Sequence, residues 1–313
     1  MSNLKRSIII RHIDLCEEWI DILKKGKFTT LGLHFITTKN TVEDYLGWLN
    51  NGGREMIKKV EDAGIEVVHE LHALRYLLPR NLFDEHPEYY RVNTVGKRSN
   101  DHNLCVQSEE ALDIISERAY GLAKEFRQSG HRYYLWTDDV MDAWCHCEKC
   151  KEISHSDQNL RIVKSILRGL RRYDPKAELS YLAYHDTVIP PTEEIPEGIF
   201  LEYAPIHRDM FTPIVDGENK IHAENIENLL KVFPKESAEI LEYWLDVSFY
   251  TKWGRLPLIK VPYHENVLRA DFDFYSSLGV CAIKTFGAYM DKNYLETYGD
   301  REIIDYGNLL SEK

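Results

Sequence analysis

REMIKKVEDAGIEVVHE, residues 54–70, contains the unit from which the fold is read. Its first part places Ile57, Val60 and Ala63 at helical spacing, so one face is apolar and the rest is charged. Gly64 is the stop, because glycine enters the left-handed conformation that ends a helix without a Cβ penalty. Residues 65–70 (IEVVHE) are short, β-branched and tightly bounded, which predicts a buried strand. A helix delivering the chain into a strand is half of a β/α repeat.

The same alternation extends in both directions. Upstream lie a strand at 7–11 (SIIIR), a helix at 15–25 and a strand at 30–35 (TLGLHF). Downstream, a long polar insertion (74–105) precedes a helix at 109–127, opened by Ser108 as N-cap with acidic residues in its first turn. A strand at 132–136 and a basic amphipathic helix at 158–173 follow. Strands at 178–184 and 199–203 are joined by a short segment holding Pro190, Pro191 and Pro196, which predicts a reduced or missing helix there. Then come a helix at 225–232, a strand at 238–245, a helix at 266–278 ended by Gly279, a strand at 280–286 and a closing helix at 296–310.

Eight β/α units in order, with no linker or composition break, predict an α/β protein built as one (β/α)8 TIM barrel domain over residues 1–313. Such a barrel takes about 250 residues, so the excess falls to long loops after strands 3 and 4. The rival doubly wound sheet wants a glycine-rich phosphate loop after its first strand, and the turn here reads RHIDLCEE (11–18).

With 39 basic and 51 acidic side chains the net charge is −12, which argues against nucleic acid and anionic membranes as partners. No run approaches the roughly 20 apolar residues of a membrane helix. Ile8–Ile10 is broken at once by Arg11, too short for a signal-peptide core, so the expected compartment is the cytoplasm. The 19 Tyr offer flat faces with polar tips, suited to sugars.

A barrel carries its chemistry at the C-terminal strand ends. Those positions read Arg11, then His34, then Glu70 and His72, then Trp136 with Asp138 and Asp139. Around the ring follow Tyr184, then Glu202, Tyr203 and Arg208, then Glu242, Trp244 and Asp246, and last Lys284. Asp138 and Asp139 are the sharpest pair: adjacent like charges resist joint ionisation, so one can hold a proton and act as a general acid. Glycoside hydrolysis needs a second carboxyl group across the bond, with Glu202, Glu242 and Asp246 as candidates.

Just beyond the acid pair, CHCEKC carries Cys145, Cys147 and Cys150 at a spacing that wraps three thiolates round one ion. The candidates for a fourth zinc ligand are His146, His155 and Cys105. Thiolate-rich zinc sites are structural, so the expected cofactor is a structural zinc, with no organic cofactor.

HPEYY (86–90), NLC (103–105) followed by Val106, Gln107 and Ser108, WTDD (136–139) and the Cys145, Cys147, Cys150 spacing resemble an uncharacterised bacterial family of glycosidase-like TIM barrels, as does the late segment 271–290. That family is remotely similar to α-glucuronidases and β-hexosaminidases. The resemblance implies a general acid at the fourth strand end, Asp138 or Asp139, and a base near Glu202, Asp209, Glu242 or Asp246. The Asp-Glu pair usual in hexosaminidases is Asp-Asp here, and an N-terminal accessory domain of larger relatives has no counterpart in these residues.

The expected function is a glycoside hydrolase acting on a small or pre-digested glycan, with carbohydrate as partner. Arg11, His72, Arg208 and Lys284 are candidates to bind a uronic or sialic acid carboxylate. A non-catalytic sugar-binding barrel and a metal-dependent hydrolase are the alternatives, and a homo-oligomer is left open.

Overall fold

Eight parallel strands close on themselves in chain order, β1 to β8, in the computed structural model, which describes residues 4–35, 41–126, 128 and 130–312. The strands are β1 Lys5–Arg11, β2 Thr30–His34, β3 Glu66–His72, β4 Arg132–Trp136, β5 Glu178–Ala183, β6 Ile199–Tyr203, β7 Glu239–Glu242 and β8 Ala282–Phe286. Their helices are α1 Glu18–Lys25, α2 Val42–Trp48, α3 Arg54–Asp62, α4 Leu74–Leu77, α5 Glu109–Glu125, α6 His155–Arg171, α7 Lys220–Leu229, α8 Val247–Tyr250, α9 Glu265–Leu278, α10 Lys292–Tyr298 and α11 Arg301–Leu310. The expected TIM barrel is therefore present, with its long loops after β3 and β4 and no α-helix between β5 and β6 among the described residues.

Element ends follow local capping. Ser108 Oγ accepts the Ala111 amide at the start of α5, as expected; the expected end at Arg127 lies outside the described residues. Helix α6 begins before the expected 158 because Ser154 Oγ accepts the Asp157 amide. Helix α2 opens on a Thr41–Asp44 capping box. The single closing helix expected at 296–310 is two helices, broken at Gly299 with φ +81.

Strand alternation fills the barrel in layers. Tyr134, Phe200 and Glu239 point inward near the bottom, where Tyr134 meets Phe200 edge-on and its hydroxyl donates to Glu239 at 3.0 Å. Above them lies an ionic layer. Lys284 Nζ sits 2.9 Å from Glu70, 2.5 Å from Glu202 and 2.9 Å from Glu239, all almost fully buried. Gly32 makes room for this layer: a Cβ there would stand 2.6 Å from Glu70 Oε1. Trp136 caps it, its Nε1 donating to Glu202 Oε2 and Ser180 Oγ at 2.9 Å each.

Candidate active site

The top of the barrel opens on two adjoining cavities. The deeper, about 100 Å³, lies over the axis and is lined by Arg11, His34, His72, Trp136, Asp139 and Asp246, among others. The wider, about 590 Å³, is lined by Glu43, Arg75, Arg80, His102, Asp138 and others. His72 and Asp139 belong to both and so stand at the junction.

Neighbouring strands fix the imidazoles. His34 Nδ1 lies 2.5 Å from the Glu70 carbonyl, and His72 Nδ1 lies 2.6 Å from the Thr137 carbonyl. A carbonyl oxygen only accepts, so in both rings Nδ1 carries the proton and donates. Burial draws the His34 pKa down to about 3, so this ring is neutral and its other nitrogen is an acceptor. Arg11 is held by Asp14, Nε donating at 2.7 Å, with its guanidinium 4.1 Å from the Tyr289 ring centre.

Two carboxylates line the deep cavity, and their environments differ. Asp139 accepts from Tyr184 Oη at 2.9 Å, with His185 Nε2 at 3.9 Å. Burial works to raise its pKa, but the charge of His72, the nearby His185 ring and the hydrogen bond from Tyr184 outweigh that and hold the carboxyl below the usual range. Asp246, just past β7, accepts from the Ser248 amide at 2.9 Å and from Ser248 Oγ at 2.6 Å. Burial dominates there and pushes its pKa up to about 6. Burial and then the charges of Asp139 and Asp246 push the Tyr243 hydroxyl far up, so it remains a proton donor beside both acids.

The raised Asp246 pKa has a stability consequence. Between its ordinary pKa of 3.8 and about 6, the folded chain keeps a proton that the unfolded chain releases. Stability therefore falls as pH rises through that window, by up to about 3 kcal/mol. Asp246→Asn removes the penalty. Its melting temperature is expected to exceed wild type at about pH 8 and to match it at about pH 4. A constant gap at both values would show that Asp246 titrates normally.

The remaining expected rim residues separate by strand parity. Asp138 lines the wider cavity and not the deep one, tied to Arg80, with its amide donating to Asn103 Oδ1 at 3.0 Å. Glu70, Glu202 and Lys284 form the ionic layer beneath the site and line neither cavity. Glu242, Tyr203, Arg208 and Trp244 are corrections to the expected rim, because they lie behind the barrel wall. Arg208 bonds Glu242 at 2.7 Å and Asp271 of α9 at 2.6 Å; Trp244 Nε1 donates to Asp271, and Tyr203 Oη donates to the His222 carbonyl. Asp209 caps a turn, accepting from the Phe211 amide at 2.9 Å. Arg208 and Lys284 are thus committed to buried acids, not to a ligand carboxylate. Tyr184 is at the rim as expected.

Sequence reading missed Tyr243, Ser248, Trp253 and Phe286, which also line the deep cavity. Tyr243 and Phe286 were findable by alternation. In β7 and just beyond it, Glu239, Leu241 and Tyr243 face inward, so Glu242 and Trp244 must face out. Trp253 follows a loop with Lys252 and Trp253 both at positive φ, and carries no periodic signal.

The four thiols of Cys105, Cys145, Cys147 and Cys150 lie within 4.8 Å of one another, a group able to hold a metal ion. Cys105 Sγ is 3.7 Å from Cys147 Sγ and 3.8 Å from Cys150 Sγ. Sulfurs at roughly 2.3 Å from a tetrahedral zinc stand about 3.8 Å apart, so the donor set fits. His155 is outside the group, and its ring instead lies against Trp144 and His146. None of the four cysteines lines either cavity.

A family model described as "Domain of unknown function (DUF4838)" matches residues 19–299. No curated protein matches the sequence. Among solved structures, a β-galactosidase from Rahnella sp. R3 aligns over 99% of this chain with TM-score 0.62 and 13% identity. One from Bacillus circulans sp. alkalophilus aligns over 99% with TM-score 0.66 and 11% identity. This chain spans 56% of each of those two proteins. A GH5 xyloglucan-specific endo-β-1,4-glucanase from a metagenomic library aligns over 94% of this chain and 87% of its own, with TM-score 0.53 and 12% identity. At such identities the likeness is one of fold, a glycosidase-like barrel.

Proposed function

The chain belongs to the DUF4838 family, and from that premise we propose that it is a glycoside hydrolase acting on a small or pre-digested glycan. The observation that carries this reading is the pair Asp139 and Asp246. Both line one aromatic-walled cavity, from β4 and β7, with pKa values pushed in opposite directions. A hydrolase of O-glycosides needs one carboxyl that holds a proton and one that does not.

Asp246 protonates the leaving oxygen and Asp139, ionised, activates water or attacks the anomeric carbon. The resemblance to α-glucuronidases and β-hexosaminidases put the acid at the fourth strand; the two environments favour the reverse. Trp136, Tyr243 and Trp253 supply sugar-facing aromatic surface. Among the described residues Arg11 is the one guanidinium lining the deep cavity; Asp14 holds its Nε and Nη2, so it offers a fixed polar edge to the sugar. The whole of residues 1–313 is read as one barrel domain, and the thiolate group as a structural zinc site.

A screen of aryl glycosides and aryl glucuronides, read by phenol release, tests the reading. Turnover of at least one, lost in Asp139→Asn, is expected. Saturable sugar binding without any product would make the protein a carbohydrate-binding barrel instead.

A further inference from the structure

We infer that the thiolate group positions the turn that carries the ionised carboxylate Asp139: a bound soft divalent cation fixes Asn103 through Cys105, and Asn103 in turn fixes the Asp138–Asp139 backbone. The inference rests on the metal reading above and extends it from scaffold to active site.

The connection is short and continuous. Cys105 comes from the loop between β3 and α5, whereas Cys145, Cys147 and Cys150 come from the loop between β4 and α6. An ion shared by all four joins two loops that no strand pairing joins. Two residues before Cys105, the fully buried Asn103 accepts the Asp138 amide at 3.0 Å. The next residue is Asp139, at the junction of both cavities.

The rest of the contact between the loops points the same way. The His146 amide donates to the Val92 carbonyl at 2.7 Å, and the Val92 amide reaches Cys145 Sγ at 3.3 Å. Gln158 of α6 brackets Cys145, accepting its amide at 3.0 Å and donating to its carbonyl at 3.1 Å. The thiolates are therefore held from the helix side and transmit that order to the rim.

Hydrogen exchange of the Asp138 amide reads the coupling directly, because that amide is the donor to Asn103. The protein as purified is expected to hold one zinc per chain by elemental analysis. Stripping the metal with a chelator should speed exchange of the Asp138 amide by at least about tenfold while β1, β2 and β6 keep their protection; zinc, but not magnesium, should restore it. Asn103→Ala should retain the metal and show the same acceleration. Absence of metal from the purified protein would overturn the metal reading itself. Metal present, with Asp138 exchange unchanged on its removal, would overturn the coupling alone. Loss of protection throughout the barrel on chelation would overturn it too, since the metal would then serve the whole fold. If chelators fail to strip the ion, Cys147→Ser, at the half-buried ligand, makes the same comparison.

Discussion

Asp139→Asn is expected to lower kcat/KM by about 10²–10⁴ on any glycoside the wild type cleaves, with the fold intact. Asn keeps the size of the side chain and can still accept from Tyr184 Oη, but it cannot take a proton or attack as an anion. Asp246→Asn should behave differently. Its role is to protonate the leaving oxygen, so its loss should be severe on alkyl glycosides and mild on dinitrophenyl glycosides, whose leaving groups depart without a proton. Asp139→Asn should be equally severe on both. The pH dependence follows from the same allocation. A general acid acts only while protonated, so wild-type activity should decline as pH rises through about 6, the Asp246 value. In Asp246→Asn that decline should vanish. If the leaving-group dependence instead appears in Asp139→Asn, the two acids have exchanged roles.

The fold was legible because it rests on local signals repeated eight times. Gly64, Gly279 and Ser108 mark element ends whose physics is confined to a few residues, and each holds in the structure. Asp139, Asp246, His34 and His72 were reachable because a barrel strand must present its last residues to the mouth. What failed was parity. Glu242 and Trp244 were read as rim residues, yet two-residue alternation sends them to the helix layer, where Arg208 and Asp271 of α9 meet them. The ends of β7 are ambiguous to the eye because apolar and polar residues sit on both faces. Depth along the barrel was also invisible: Glu70, Glu202 and Lys284 face inward, as expected of strand residues, but one layer below the cavities. Sequence alone does not say where an inward carboxylate meets water and where it meets an ammonium.

Lys284→Met is expected to destabilise the fold severely, by roughly 3–5 kcal/mol. Its ammonium is only 2% exposed and meets Glu70, Glu202 and Glu239, while Arg132 reaches Glu239 at 2.6 Å from below. Burial pushes the Glu70 carboxyl well up despite the Lys284 charge, so Glu70 retains its proton. Lys284 and Arg132 then face Glu202 and Glu239, and Arg132 also bonds Glu178 at 3.0 Å. Removing Lys284 leaves Arg132 alone with them in a space closed to water. That uncompensated charge, not the loss of one attraction, sets the cost. The sign of the pH dependence follows. With no ammonium, the buried acids bind protons more tightly folded than unfolded, so the variant should be least deficient in mild acid and worst at neutral pH and above. Glu202→Gln in the same chain should recover much of the loss, a coupling that a double-mutant cycle in urea would measure. The defect should also reach the active site, because Glu202 holds the Trp136 indole that floors the deep cavity. A Lys284→Met protein within about 1 kcal/mol of wild type at neutral pH would mean that the layer is hydrated and carries no such constraint.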